Sequence, residues 1–190
     1  MLIAITGGIG AGKSVVSRML MAMGYEVYDC DRRARQLIDN SREILGEISA
    51  RISAEVVNDE WKLDRRALAA IVFADREKLN VLNGITHGAV REDVAAWSAA
   101  RAGGGKPVFV ETAILYESGL DGMVDRVWEV VAPTEVRAAR AMMRDGADRE
   151  SVERRIASQA REREGGHHDI RLIVNDGFMA VLPQVLELLR

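Results

Sequence analysis

Cysteine is nearly missing from this chain, with Cys30 the one thiol in 190 residues. That excludes an internal disulfide framework and a cysteine-rich metal site. Long apolar runs are missing too: none approaches about 18 residues, so no membrane-spanning segment is expected. No basic stretch and cleavable apolar region precede the apolar run at Leu2, and a soluble, cytoplasmic protein is expected. Excess positive charge is also lacking, since 26 Lys and Arg face 29 Asp and Glu for a net charge of −3. Composition therefore gives no case for nucleic acid or a membrane as partner, and any anionic ligand must be held by local positive charge. There is no internal repeat or low-complexity tract, and His167-His168 has no further ligand at metal-binding spacing. The length suits one buried core with a small insertion rather than two independent domains. Oligomeric state stays open.

Glycine, by contrast, is concentrated near the amino terminus. Gly7-Gly8-Ile9-Gly10-Ala11-Gly12-Lys13-Ser14 satisfies the phosphate-loop pattern G-x-x-x-x-G-K-[ST] between the apolar run Leu2–Thr6 and a helical stretch from about Gly12 to Met23. Glycines let the backbone N–H groups approach a phosphate chain closely, and the following helix adds free donors and the positive end of its dipole. Gly8, Gly10, Ala11, Gly12, Lys13, Ser14 and Val15 are the expected nucleotide-binding residues. Lys13 is expected to reach the β- and γ-phosphates of ATP, and the Ser14 hydroxyl to ligate Mg²⁺.

Period and punctuation along the rest of the chain describe an α/β fold with a mostly parallel sheet. Further strands are expected at Glu26–Cys30, Val108–Glu111, Arg126–Ala132 and Leu172–Asn175. Helices are expected from Asp31 to about Ile38 with a further helical stretch to about Ile52, after Pro133 to about Arg144, around Ser151 to Arg163, and from Val181 to Leu189. From about Asn40 to Gly103 the periodicity is helical with no good strand, which marks an all-helical insertion. It should hold one helix from Leu63 through Phe73, another with Leu79 and Leu82, and a longer one from about Thr86 to Arg101. Gly103-Gly104-Gly105-Lys106-Pro107 then breaks the pattern and returns the chain to the sheet.

Several charged residues are candidates for chemistry. Asp29 and Asp31, two apart at the end of the second strand, would emerge on one face beyond its carboxyl end. One of them can accept a proton from an attacking hydroxyl, while the alternative for Asp31 is a helix N-cap. Arg137, Arg140 and Arg144 share a helical face, and Arg149, Arg154 and Arg155 follow. Most of these suit a solvated face, but Arg144, beside the Asp145-Gly146 turn, and Arg140 behind it are candidates for a mobile lid over a transferring phosphoryl group. Glu111 is either a water-mediated Mg²⁺ contact or a strand-end carboxylate. Glu117 follows an apolar wall at Ile114, Leu115 and Tyr116, and the lone His87 suits a structural role.

Taken together, the phosphate loop, Asp29-Cys30-Asp31, Leu63-Asp64-Arg65-Arg66, Ile85-Thr86-His87, Glu117-Ser118-Gly119, Arg144-Asp145-Gly146, Ser158-Gln159 and Asn175-Asp176-Gly177 occur in the order and spacing of the dephospho-CoA kinases. The chain resembles that family from end to end. The resemblance implies transfer of the ATP γ-phosphate to the ribose 3′-hydroxyl of dephospho-CoA, the last step of coenzyme A synthesis. It also implies three parts: a phosphate-loop kinase core at about 1–39, 104–144 and 169–190, a helical CoA-binding insertion at 40–103, and a lid at 145–168. Asp31 matches the family's catalytic base, Arg144 its lid arginine, and Arg140 a position associated with phosphate binding. Gly88, Glu111, Ala113 and Asp169-Ile170 depart from the usual pattern, and no role is assigned to Asp169.

The expected mechanism is in-line phosphoryl transfer with Lys13 and Arg144 stabilising charge and Asp31 accepting the proton. Two alternatives share the loop. A nucleoside-monophosphate kinase needs no strong base, which the Asp29/Asp31 pair argues against. A non-enzymatic GTP switch would carry Asn-Lys-x-Asp, which the sequence lacks.

Overall fold

The computed structural model describes residues 1–161 and 166–190, with Ala160 and Arg161 described by their backbone alone. In chain order its elements are β1 (Leu2–Thr6), α1 (Lys13–Ala22), β2 (Val27–Asp29), α2 (Cys30–Asn40), α3 (Arg42–Arg51), α4 (Arg65–Ala74), α5 (Arg76–Ala99), β3 (Val108–Glu111), β4 (Arg126–Val131), α6 (Thr134–Asp145), α7 (Arg149–Arg161), β5 (Ile170–Val174) and α8 (Val181–Leu188). Two compact units divide the chain: Met1–Asp29 with Ser98–Arg190, and Cys30–Trp97.

The first unit is built on five parallel strands in the order β2-β3-β1-β4-β5. β1 lies at the centre with all five residues buried, which is why it reads as an unbroken apolar run. Its partners are β3, with Ile3 opposite Phe109, and β4, with Ile3 opposite Arg126. From β1 the chain passes to β2 on one side, and from β3 it passes to β4 on the other. The loop after β1 therefore opens at the switch point of the sheet, where open α/β sheets bind ligands.

Val16 and Leu20 of α1 and Val181 and Val185 of α8 pack on Ile3, Ile5, Phe109, Trp128, Val130 and Ile173. Phe109 and Trp128 are fully buried, with ring centroids 5.1 Å apart. Burial of a side chain like Phe109 contributes about 1.5–3 kcal/mol. Gly24 ends α1 at φ 82°, in a turn where Tyr25 N–H donates to Leu20 and Gly24 N–H to Met21.

In the second unit Ile38, Leu45, Ile48, Val56, Leu68, Val72 and Ile85 form a separate apolar cluster. Its helices start on local caps. Ser41 Oγ accepts from Ile44 N–H, Asp64 Oδ1 from Arg66 and Ala67 N–H, and Asp75 Oδ1 from Glu77 and Lys78 N–H. Arg33 grips Asp93 with two guanidinium nitrogens at 2.7 to 3.0 Å and so ties α2 to α5.

Several boundaries differ from the sequence reading, among them the start of β5, which is Ile170 rather than Leu172. β2 is shorter than Glu26–Cys30, because Cys30 already opens α2. The helices expected around Leu79 and from Thr86 are one 24-residue helix, α5. Gly84 and Gly88 do not break it, although each costs about 1 kcal/mol against alanine, because Leu79, Leu82 and Ile85 keep one apolar face in the cluster. Helix α7 begins at Arg149, two residues before Ser151. Its expected end at Arg163, and residues 162–165 of the expected lid, lie outside the described residues. Among the described residues no helix is long and apolar enough to cross a membrane.

Candidate active site

The glycine loop joins the end of β1 to α1. Gly7, Gly10 and Gly12 all have positive φ, at 147°, 74° and 102°. Gly12 precedes Lys13, so the first turn of α1, with its free N–H donors and positive dipole end, follows the loop at once. Lys13 Nζ donates to Gly7 O at 2.9 Å and lies 3.5 Å from Gly8 O, which keeps its charge folded within the loop. Ser14 is exposed in that first turn. The donors, lysine and hydroxyl expected from the sequence are thus brought together.

The glycines are also required from the protein side. A Cβ on Gly7 would lie 2.3 Å from Val130 O, one on Gly10 2.2 Å from Arg137 O, and one on Gly12 2.1 Å from Asn175 Nδ2. The loop is packed against β4, α6 and the turn after β5. Three side chains hold its backbone: Arg137 Nε donates to Ile9 O at 3.0 Å, Asn175 Nδ2 to Ala11 O at 2.8 Å, and Gln159 Oε1 accepts from Ile9 N–H at 2.8 Å. Neither Gln159 nor Asn175 stands out in composition or periodicity, whereas helical spacing already groups Arg137 with Arg140 and Arg144. Gln159 and Asn175 lie in motifs of the family resemblance, and Arg137 lies on the arginine face of α6.

That arginine face divides in three. Arg137 reaches the loop, and Arg140 Nη1 donates to Asn175 O at 2.8 Å, behind the residue that holds Ala11. Arg144, in the last turn of α6, pairs with Asp145 through Nε at 2.7 Å and Nη2 at 3.0 Å. Asp145 also accepts from Arg155 of α7 at 2.8 Å. The hydrogen bonds from Arg144 and then Arg155 hold the Asp145 carboxyl well below the usual carboxylate range, and the same pairing raises Arg144. Arg144 is 62% exposed despite this pair.

The two aspartates do not share a strand face. Asp29 ends β2 in the first unit, opposite Glu111, the last residue of β3, so the sheet pairs Asp29 with Glu111 rather than with Asp31. Asp31 is exposed in the first turn of α2 in the second unit, inside the helix rather than at its cap. His87 is half-buried in α5. Asp169 lies at the opposite end of the sheet from the loop, paired with Arg126 at 2.7 Å and Arg171 at 2.8 Å, which gives it a structural place. After β3, Leu115 and Leu120 are buried, Ser118 Oγ donates to Leu115 O, and Glu117 is exposed.

Among the described residues no cluster of three or more His, Cys, Asp or Glu side chains could cage a metal. The exposed Ser14 hydroxyl beside the loop fits an ion held mainly by phosphate oxygens, as is usual for Mg²⁺.

A parallel sheet with a phosphate loop at its switch point and a lysine folded into that loop defines the class of phosphate-loop nucleotide-binding proteins. Within it, the sequence model of the dephospho-CoA kinases matches residues 1–180, and the chain belongs to that family. The dephospho-CoA kinase of Porphyromonas gingivalis is 37% identical over 191 residues, covering 98% of this chain and 92% of that protein. The crystal structure of TT1252 from Thermus thermophilus is 33% identical, with a TM-score of 0.77 over 100% of this chain and 94% of that one. Dephospho-CoA kinase from Campylobacter jejuni, 23% identical over 98% of this chain and 94% of that one, shares the fold at a TM-score of 0.68. The chain is a kinase enzyme that uses ATP to phosphorylate dephospho-CoA, the last step of coenzyme A synthesis.

Proposed function

We propose that the transfer proceeds in line, from the γ-phosphate of ATP bound on the glycine loop to the ribose 3′-hydroxyl of dephospho-CoA, in the cytoplasm. The observation that carries this reading is the loop itself, a turn of three positive-φ glycines leading into α1 with Lys13 Nζ held inside it. Gly8, Gly10, Ala11, Gly12, Lys13, Ser14 and Val15 hold the phosphates, the backbone N–H groups supplying fixed dipoles. Lys13 leaves the Gly7 carbonyl for the β- and γ-phosphate oxygens. When bound, Mg²⁺ supplies charge neutralisation between those phosphates, with the Ser14 hydroxyl among its ligands.

The acceptor O3′ forms the new bond to phosphorus as the bond to the β–γ bridging oxygen breaks, and ADP leaves. The hydroxyl proton passes to the Asp31 carboxylate, which the chain carries two residues beyond the end of β2. Arg144 exchanges Asp145 for the transferring group, and its exposed guanidinium supports that role. Arg140 acts from behind, through Asn175. Residues 145–168 serve as the lid and the helical unit receives the CoA moiety. In that unit a groove of about 460 Å³, lined in part by Leu37, Ile44, Ile85, Glu43, Glu47 and Glu92, suits an uncharged amide-bearing arm better than phosphates.

Measuring ADP release with ATP and Mg²⁺ tests the acceptor. Dephospho-CoA should support turnover, while AMP, CMP, UMP and adenosine should give less than a hundredth of that rate. Turnover confined to a nucleoside monophosphate would overturn the reading.

A further inference from the structure

Ile9, at the tip of the glycine loop, is held on three sides by α6 and α7. Its N–H donates to Gln159 Oε1 at 2.8 Å, and its carbonyl accepts from Arg137 Nε at 3.0 Å. Its side chain packs against a small apolar cluster of Ala138 and Ala141 from α6 with Val152 and Ile156 from α7. The next residue, Gly10, has no room for a Cβ against the Arg137 backbone. Helix α7 is in turn fixed to the end of α6 by the Arg155 ion pair with Asp145.

We propose that Gln159 is a positioning residue that couples α7 to the glycine loop, so that nucleotide binding at the loop and docking of α7 on Ile9 strengthen each other. The coupling rests on the reading that this loop binds the ATP phosphates. Arg137 holds the Ile9 carbonyl and the apolar cluster its side chain, and Gln159, through the Ile9 N–H, fixes how the Gly8–Ile9 peptide plane faces. The carbonyl of that plane, on Gly8, accepts from Ala11 N–H at 3.1 Å and lies 3.5 Å from Lys13 Nζ, so its direction bears on both the turn and the lysine that meet phosphate. Gln159 lies 150 residues from Ile9 in sequence. The hydrogen bond therefore forms only when α7 is docked, and a loop held in its binding shape must in return favour the docked α7.

The test begins with ADP, the reaction product, bound to the wild-type protein and followed by calorimetry and by amide hydrogen exchange. ADP should slow exchange at the Ile9 amide and along residues 151–158 of α7. In Gln159→Leu, ADP affinity should fall about three- to ten-fold, the range expected for losing one neutral hydrogen bond. In that variant ADP should no longer change exchange in α7. Gln159→Glu keeps an acceptor and should regain protection at Ile9. Failure of the wild type to bind ADP would overturn the reading of the loop itself. Binding by the wild type with no change in α7 exchange would overturn the coupling alone, without any variant being needed. Unchanged ADP affinity in Gln159→Leu, or loss of thermal stability as its only effect, would also overturn it.

Discussion

The glycine loop and the helical unit are held in opposite ways. In the loop the side chains that fix the backbone come from 128 to 164 residues away, from Arg137, Gln159 and Asn175. In Cys30–Trp97 the caps of Ser41, Asp64 and Asp75 act over two or three residues, and the helices then bury one apolar cluster. The loop closes one turn of its own, Ala11 N–H to Gly8 O at 3.1 Å, and the rest of its shape is imposed from outside. A helix satisfies its backbone internally and needs only a start signal and an apolar face.

The largest expected effect is on the one catalytic residue assigned to the helical unit. Asp31→Ala should lower turnover on the order of 10²- to 10⁴-fold. ADP affinity, measured by calorimetry, should stay within a factor of two, since Asp31 acts on the acceptor proton. Unchanged turnover would remove Asp31 from the base role and leave the helical unit without a reacting group.

The same substitution in the two regions should then have opposite signs. Gly10→Ala forces a Cβ into the Arg137 backbone at a positive φ, and should cost about 1–3 kcal/mol in a urea titration. Gly84→Ala, inside α5 with nothing within 4 Å of its would-be Cβ, should stabilise by about 0.5–1 kcal/mol. Equal effects at the two sites would erase the distinction between a loop shaped from outside and helices shaped from within.

The smallest effect concerns the α6–α7 junction. The folded-state pKa of Asp145 is depressed, so the pair contributes stability above the ordinary carboxylate pKa, about 4, and loses it as pH falls below that value. Thermal melts between pH 5 and 2 should show a shallower decline for Asp145→Asn than for the wild type. Parallel curves would mean that the junction does not hold α7 through this carboxylate.

Much of this contrast was legible in advance. The loop, the central strand β1, the parallel sheet and the helical character of residues 40–103 follow from a complete motif and from period. The single helix α5 did not, because the apolar positions around Leu79 and those after Thr86 read as two stretches when the face that joins them in one cluster is unseen. The pairing of Asp29 with Glu111 was hidden as well, since parallel register is set across strands about 80 residues apart.

The sequence by itself determined that this chain binds a nucleotide phosphate chain and which family it belongs to, because the residue types that touch phosphate must be contiguous around one turn and the later motifs follow in order. Tertiary structure decided what keeps that turn in shape. Arg137, Gln159 and Asn175 lie far from the loop along the chain, and only the packing of α6, α7 and the turn after β5 against the loop that follows β1 brings them within hydrogen-bond distance of it.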